Sequence, residues 1–166
     1  METSNQLAKR FRELYLNGTW IANTNYQKLL SDINCEQATQ KISTLNSIVL
    51  LTFHINYYVE GVLQVFEGGT LDIKDKYSFD APEITSEADW NALKNNLLKN
   101  AEAFAKHIKL MSETQLESVF VHEKYGSYRR NIEGLIEHSY YHLGQLSLIK
   151  KMINTIQYLT CQELLL

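Results

Sequence analysis

The chain has 166 residues, 45% apolar and 21% charged, with a formal net charge of −3. That length and composition suit one globular domain over residues 1–166 and exclude a disordered chain. The mildly acidic balance lacks the basic face of a nucleic-acid binder, and one Pro with seven Gly is too few breakers for a turn-rich β-sandwich.

Helical periodicity appears in four long segments. Residues 5–30 place Leu7, Phe11, Leu14, Tyr15, Ile21 and Leu29 at three- and four-residue steps, with Gly18 as a possible bend. Residues 31–45 read as a polar connection. A second helix starts at Asn46 or Ser47, either of which caps. It carries Ile48, Leu51, Ile55, Tyr58, Val59, Val62, Val65 and Phe66 on one stripe and stops at Gly68-Gly69. Residues 70–85 hold the single Pro and read as a loop.

The third helix, residues 86–111, opens on Ser86 with Asp89 three positions on, close to a capping box. Leu93, Leu97, Ala101, Phe104, Ala105 and Ile108 mark its inner face. Residues 112–130 are irregular, with room for a short hairpin between Val119, Val121 and the Tyr125-Gly126-Ser127 turn. The fourth helix covers residues 131–153, and Thr160 with Glu163 suggests a separate last turn over residues 160–166. The expected fold class is all-α, a four-helix bundle with long inter-helix connections.

The first residues are polar and no run approaches the roughly 18 apolar residues of a membrane span. Cys35 and Cys161 are too few and too far apart for a disulfide framework or a thiolate site. A soluble cytoplasmic protein with free thiols, no membrane and no nucleic-acid partner is expected.

The chemistry concentrates in HSYYHLGQ. On a helix, His138 and His142 project about 40° apart and one turn apart, so both imidazoles can reach one ion at roughly 2.0–2.1 Å. With His138 at zero, Leu135 falls at about +60° and Ile149 at about +20°, which puts both histidines within the apolar face, and Gln145 at about −20° continues the polar line. Buried polar groups of this kind need partners. His54, at the edge of the second helix's apolar stripe, is the candidate third ligand. Three neutral imidazoles with a free fourth position fit a catalytic zinc site better than a structural one, and nickel or another imidazole-friendly divalent ion fits as well. Protonating such a ligand near the ordinary histidine pKa of about 6.5 is expected to compete with metal.

Other candidates carry less. His122-Glu123 begins a zincin-like pattern that fails at Gly126. His107 is expected to be solvated. The tyrosines read mainly as core or interface residues, with Tyr57 and Tyr141 phased to reach the histidines as hydrogen-bond donors.

Those residues resemble the DinB/YfiT-like superfamily of small bacterial four-helix metal-binding proteins. The likeness lies in His54 within LLTFHINYYVEG and in His138, His142, Gly144 and Gln145 within EHSYYHLGQLSLI. The stretch NGTWIANTNYQKLLSDINCEQATQKI, with Trp20 before a polar connection, is also similar. The resemblance implies one divalent metal ion, zinc or nickel, on His54, His138 and His142 with water completing the shell, and Gln145 orienting a histidine or the water. Relatives include metal-dependent thiol S-transferases that use bacillithiol or mycothiol and a maleylpyruvate isomerase; many others have no known reaction, and dimers are common. It therefore implies a small-molecule substrate, with low-molecular-weight thiols among the candidates, and a homodimer. Two function classes stay open: a metal-dependent transferase or hydrolase, and a non-catalytic metal-binding or stress-linked binding protein.

Overall fold

The computed structural model describes residues 3–163 and is all-helical, with no strand among those residues. Helix α1 (Ser4–Arg12) is capped by Thr3, whose side chain accepts from the Gln6 N–H while the Gln6 side chain accepts from the Thr3 N–H. It loosens into a π-helical turn over Glu13–Asn17 and ends at Gly18. Short helices α2 (Tyr26–Leu30) and α3 (Cys35–Thr39) follow. Three long helices complete the body: α4 (Ile48–Phe66), α5 (Glu87–Leu110) and, after the short α6 (Glu113–Glu117), α7 (Tyr128–Glu163).

Local chemistry sets the ends of α4 and α5. Ser47 and Ser86 accept from the N–H groups of Leu50 and Asp89 and so satisfy donors that the first helical turn leaves free. The chain leaves α4 through Gly68 at φ +89°, a left-handed conformation that only glycine adopts cheaply.

The first segment departs from expectation. It is not one helix over residues 5–30. At Gly18 the extended backbone folds back so closely that a Cβ there would meet Glu13 Cα at 2.5 Å. Ile21 and Asn23 then take positive φ, at 69° and 54°, which leaves Ile21 74% exposed rather than on an inner face. The 119–127 hairpin shrinks to a single antiparallel bridge between Val119 and Ser127. The last helix starts earlier than residue 131, because the Ser127 hydroxyl accepts from the Arg130 N–H. It also runs on to Glu163 without a separate last turn, since residues 154–159 contain neither Gly nor Pro to stop it. Residues 164–166 of that expected turn lie outside the described residues.

Helix α5 packs against both α1 and α4, and α7 lies against α4 and α1. A run of stacked rings joins them: Phe104 on α5 to Phe11 at 4.6 Å, Phe11 to Tyr15 at 4.4 Å, and Tyr15 to Tyr26 at 4.8 Å. It ends on α7, where the Tyr26 hydroxyl donates to the Ser139 carbonyl at 2.6 Å and the Tyr15 hydroxyl hydrogen-bonds the Ser139 hydroxyl. Arg129, buried at the start of α7, pairs with Glu113 and Glu117 and fastens α6. Helix α4 has the length and hydropathy to cross a membrane, yet 67% of its apolar window is buried against the other helices. It also buries His54 and Asn56, so its apolar character is explained by its central position in the core.

Two glycine substitutions separate packing from propensity. A Cβ at Gly61 of α4 would stand 2.1 Å from Ile73 Cγ2, so Gly61→Ala is expected to push the 70–85 loop outward and cost about 1–3 kcal/mol. Gly144 on α7 has open space for a Cβ, so Gly144→Ala is expected to add about 0.5–1 kcal/mol. Urea unfolding followed by circular dichroism checks both signs.

Candidate metal centre

Helices α4 and α7 bring three histidines together. His138 Nε2 lies 3.2 Å from His54 Nε2 and 2.9 Å from His142 Nε2. The ligand nitrogens of all three fall within 4.8 Å of one another. The one-turn spacing on α7 supplies two of these rings on one face. The third comes from His54, at the point where α4 passes α7.

The outer nitrogens decide what the inner ones can do. His54 Nδ1 is 3.2 Å from the Ser78 carbonyl oxygen, which can only accept, so Nδ1 carries the proton and Nε2 presents a lone pair. His142 Nδ1 likewise donates to Gln145 Oε1 at 2.7 Å, and its Nε2 presents a second lone pair. Both lone pairs face His138 Nε2. A single proton on that nitrogen can satisfy one of them and leaves the other without a donor. A cation satisfies all three at once.

The spacing fits that reading. Two nitrogens bound to one ion at about 2.0–2.1 Å stand about 2.8–3.4 Å apart for angles between a right angle and the tetrahedral value. The observed 2.9 and 3.2 Å lie in that range. The three rings could therefore hold a divalent ion, and the acceptors behind His54 and His142 fix ring orientation as partners of metal-bound histidines do.

Burial also keeps the rings neutral, as a ligand must be. Desolvation, then the neighbouring His142 and His54, pushes the His138 pKa down to about 4. Desolvation is also the main cause of the lowered pKa of His54, with His142 adding to it, and of the lowered pKa of His142.

Aromatic rings enclose the group. Phe79 stacks on His54 at 4.1 Å, and Tyr58 sets its edge against His54 and His138 at 5.0 and 5.2 Å. The Tyr58 hydroxyl donates to Asp75 at 2.9 Å. A cavity of about 790 Å³ opens on this side, with Tyr58 and His138 among its walls.

The structure brings together His54, His138, His142 and Gln145, all legible as candidates. It leaves Tyr57 outside: its hydroxyl bonds the backbone N–H and carbonyl of Lys74, at 2.7 and 3.1 Å, and so ties the loop to α4. Tyr141 reaches only the edge of His142, at 4.9 Å, and is 65% exposed. His107 faces Glu67 at 3.8 Å, and His122 accepts from the Lys124 N–H; both lie apart from the group. Sequence reasoning missed the Ser78 carbonyl, Phe79 and the placement of Tyr58. Only Tyr58 carried a signal, since it lies one turn after His54. Comparison with models of protein families, with curated proteins and with solved structures gives no match to this chain.

The lowered pKa values set a pH dependence for the metal-free protein. Their folded values lie below the unfolded value of about 6.5, so the unfolded chain binds more protons in between and stability falls as pH falls. For His138 that window runs from about 6.5 down to about 4. Acid sensitivity therefore belongs to the chain without any ion, and protons take up the His138 nitrogen only below its ordinary pKa. Urea unfolding of chelator-treated protein between pH 7.5 and 4.5 is expected to show this loss, and His138→Asn is expected to flatten it. A flat wild-type profile would contradict the assignment.

Proposed function

We propose that this protein is a DinB-like four-helix bundle that holds one divalent metal ion, zinc or nickel, on His54, His138 and His142. We further infer that it is an enzyme of thiol-transferase or hydrolase type acting on a small molecule. The bundle reading is supported by α1, α4, α5 and α7 packing around one core, with both histidine-bearing helices in contact. The observation that carries the metal reading is the convergence of three Nε2 atoms while two Nδ1 atoms are tied to outer acceptors.

When bound, the ion supplies Lewis acidity toward an oxygen or sulfur of the substrate. The chain's own groups do the rest. Ser78 and Gln145 hold two rings in one tautomer and orientation. Phe79 covers His54 and restricts water on that side. Tyr58 and His138 line the adjoining cavity, which gives a small molecule a way to reach the histidines. Among the described residues no carboxylate or thiolate joins the ligand group, so the ion would keep its full charge, a condition that favours electrophilic catalysis over a purely structural role.

Elemental analysis of protein purified without a nickel column is expected to find about one equivalent of zinc or nickel, and His142→Ala to retain about a tenth or less. Metal at about a hundred times its dissociation constant adds about 2.7 kcal/mol. On a chain of this size the melting temperature is then expected to rise by about 5–10 °C. Coincident melting curves with metal and with chelator would reject the ligand set. Conjugation of monochlorobimane to low-molecular-weight thiols, and ester hydrolysis, both lost in His142→Ala, test the enzymatic part. Stoichiometric metal without turnover in either assay would favour a binding protein.

A further inference from the structure

The cavity beside the histidines has a charge that the rest of the chain does not share. The whole molecule carries a net charge of −3, yet three cations, Lys74, Lys124 and Arg130, line this one cavity against a single carboxylate, Asp75. Asp75 is already engaged as acceptor of the Tyr58 hydroxyl. Lys74 and Lys124 form no ion pair among the described residues, and Lys124 Nζ lies 4.7 Å from the centre of the Tyr125 ring. Arg130 meets Glu137 only across 3.7 Å on an exposed face. Like charges gathered around a concave surface repel one another, and an anion relieves that repulsion.

The cations come from three separate parts of the chain: the loop after α4, the turn at Glu123–Tyr125 and the first turns of α7. Helical spacing along one element therefore cannot account for them. The fold converges them on a space whose remaining walls include Val62, Leu71, Ile73, Phe120 and Leu135. A cavity of about 790 Å³ is the size of a small-molecule site, where apolar walls hold the body of a ligand and a few polar groups fix its orientation.

We propose that this cavity binds a small organic anion, a carboxylate or phosphate ester on an apolar body, with Lys74, Lys124 and Arg130 gripping the charged group and the apolar walls holding the remainder. Guanidinium and ammonium groups are the protein donors suited to those oxyanions. His138, at the cavity wall, puts the bound molecule next to the three histidines. The proposal rests on the metal reading for what happens at that end; the recognition of the anion rests on the cations alone.

Isothermal titration of the full chain with four probes of one shape tests it: phenyl phosphate, phenylacetate, the neutral phenylacetamide and the cationic 2-phenylethylamine. Each is titrated into zinc-loaded and chelator-treated wild type and into Lys124→Gln/Arg130→Gln. Both anions are expected to bind wild type at least about tenfold tighter than the amide, with no binding of the amine. The double variant, with unchanged circular dichroism and zinc content, is expected to weaken both anions about tenfold or more. Equal affinity for anion and amide, an unchanged affinity in the double variant, or no binding of either anion would overturn the proposal. Anion binding that needs zinc but ignores the double substitution identifies the metal as the sole anion ligand and also overturns it. Failure of the metal reading looks different: zinc does not bind, while charge-selective, Lys124- and Arg130-dependent binding persists in the chelator-treated protein.

Discussion

His138 Nε2 stands at hydrogen-bonding distance from the Nε2 atoms of both His54 and His142, and neither of those two has a proton to offer. That shortage of protons is the constraint around which this molecule is arranged. With at most one proton among these three nitrogens, a buried lone pair is left without a donor, which is unfavourable in a low-dielectric interior. It survives only because the outer nitrogens are held from behind, His54 by the Ser78 carbonyl and His142 by Gln145. The pairing that fixes each ring also prevents it from turning its protonated side inward. Stability is given up locally so that an electron-rich cage can exist, and the remainder of the fold must supply what the cage costs.

The aromatic run through the core does that in a directed way. Phe104, Phe11, Tyr15 and Tyr26 transmit contact from α5 through α1 and α2 to one residue, Ser139, which adjoins His138 on α7. Ser139 is fully buried, and its hydroxyl also donates to the Leu135 carbonyl at 2.6 Å. The face of α7 beside the histidines is thereby pinned, so α7 cannot roll or slide without breaking buried hydrogen bonds. The stacking supplies area and orientation, while the two hydroxyls set the register of α7.

How much of this could be read from the sequence depended on the range of the interaction. The cap residues Ser47 and Ser86 bond to their own first turns, so residue type alone announced them. His138, His142 and Gln145 share one helix, and their convergence follows from helical geometry. His54 was legible because it sits on the edge of an apolar stripe. The break of the first segment was misread because Leu7, Phe11, Leu14 and Tyr15 keep perfect helical phase up to the point where Gly18 folds back over Glu13. Periodicity reports which residues are buried, and it does not report a chain reversal that begins just after them. The Ser78 carbonyl was beyond reach for another reason. Every residue has a carbonyl, so no residue type marks the one that will meet His54.

That last contact has a consequence for how the protein tolerates sequence change. The partner of His54 is main-chain, so replacing the Ser78 side chain leaves the accepting oxygen in place. What positions that oxygen is the path of the chain between α4 and α5, fixed at one end by Tyr57 on the Lys74 backbone and by Ile73 seated against Gly61. Substitution at Ser78 itself can vary widely without moving that oxygen, whereas Phe79 and Asp75 in the same connection reach His54 and Tyr58 through their side chains. Insertion or deletion of one residue between Lys74 and Ser78 would slide a different part of the chain over His54. The length of that short segment is therefore under tighter restraint than its composition.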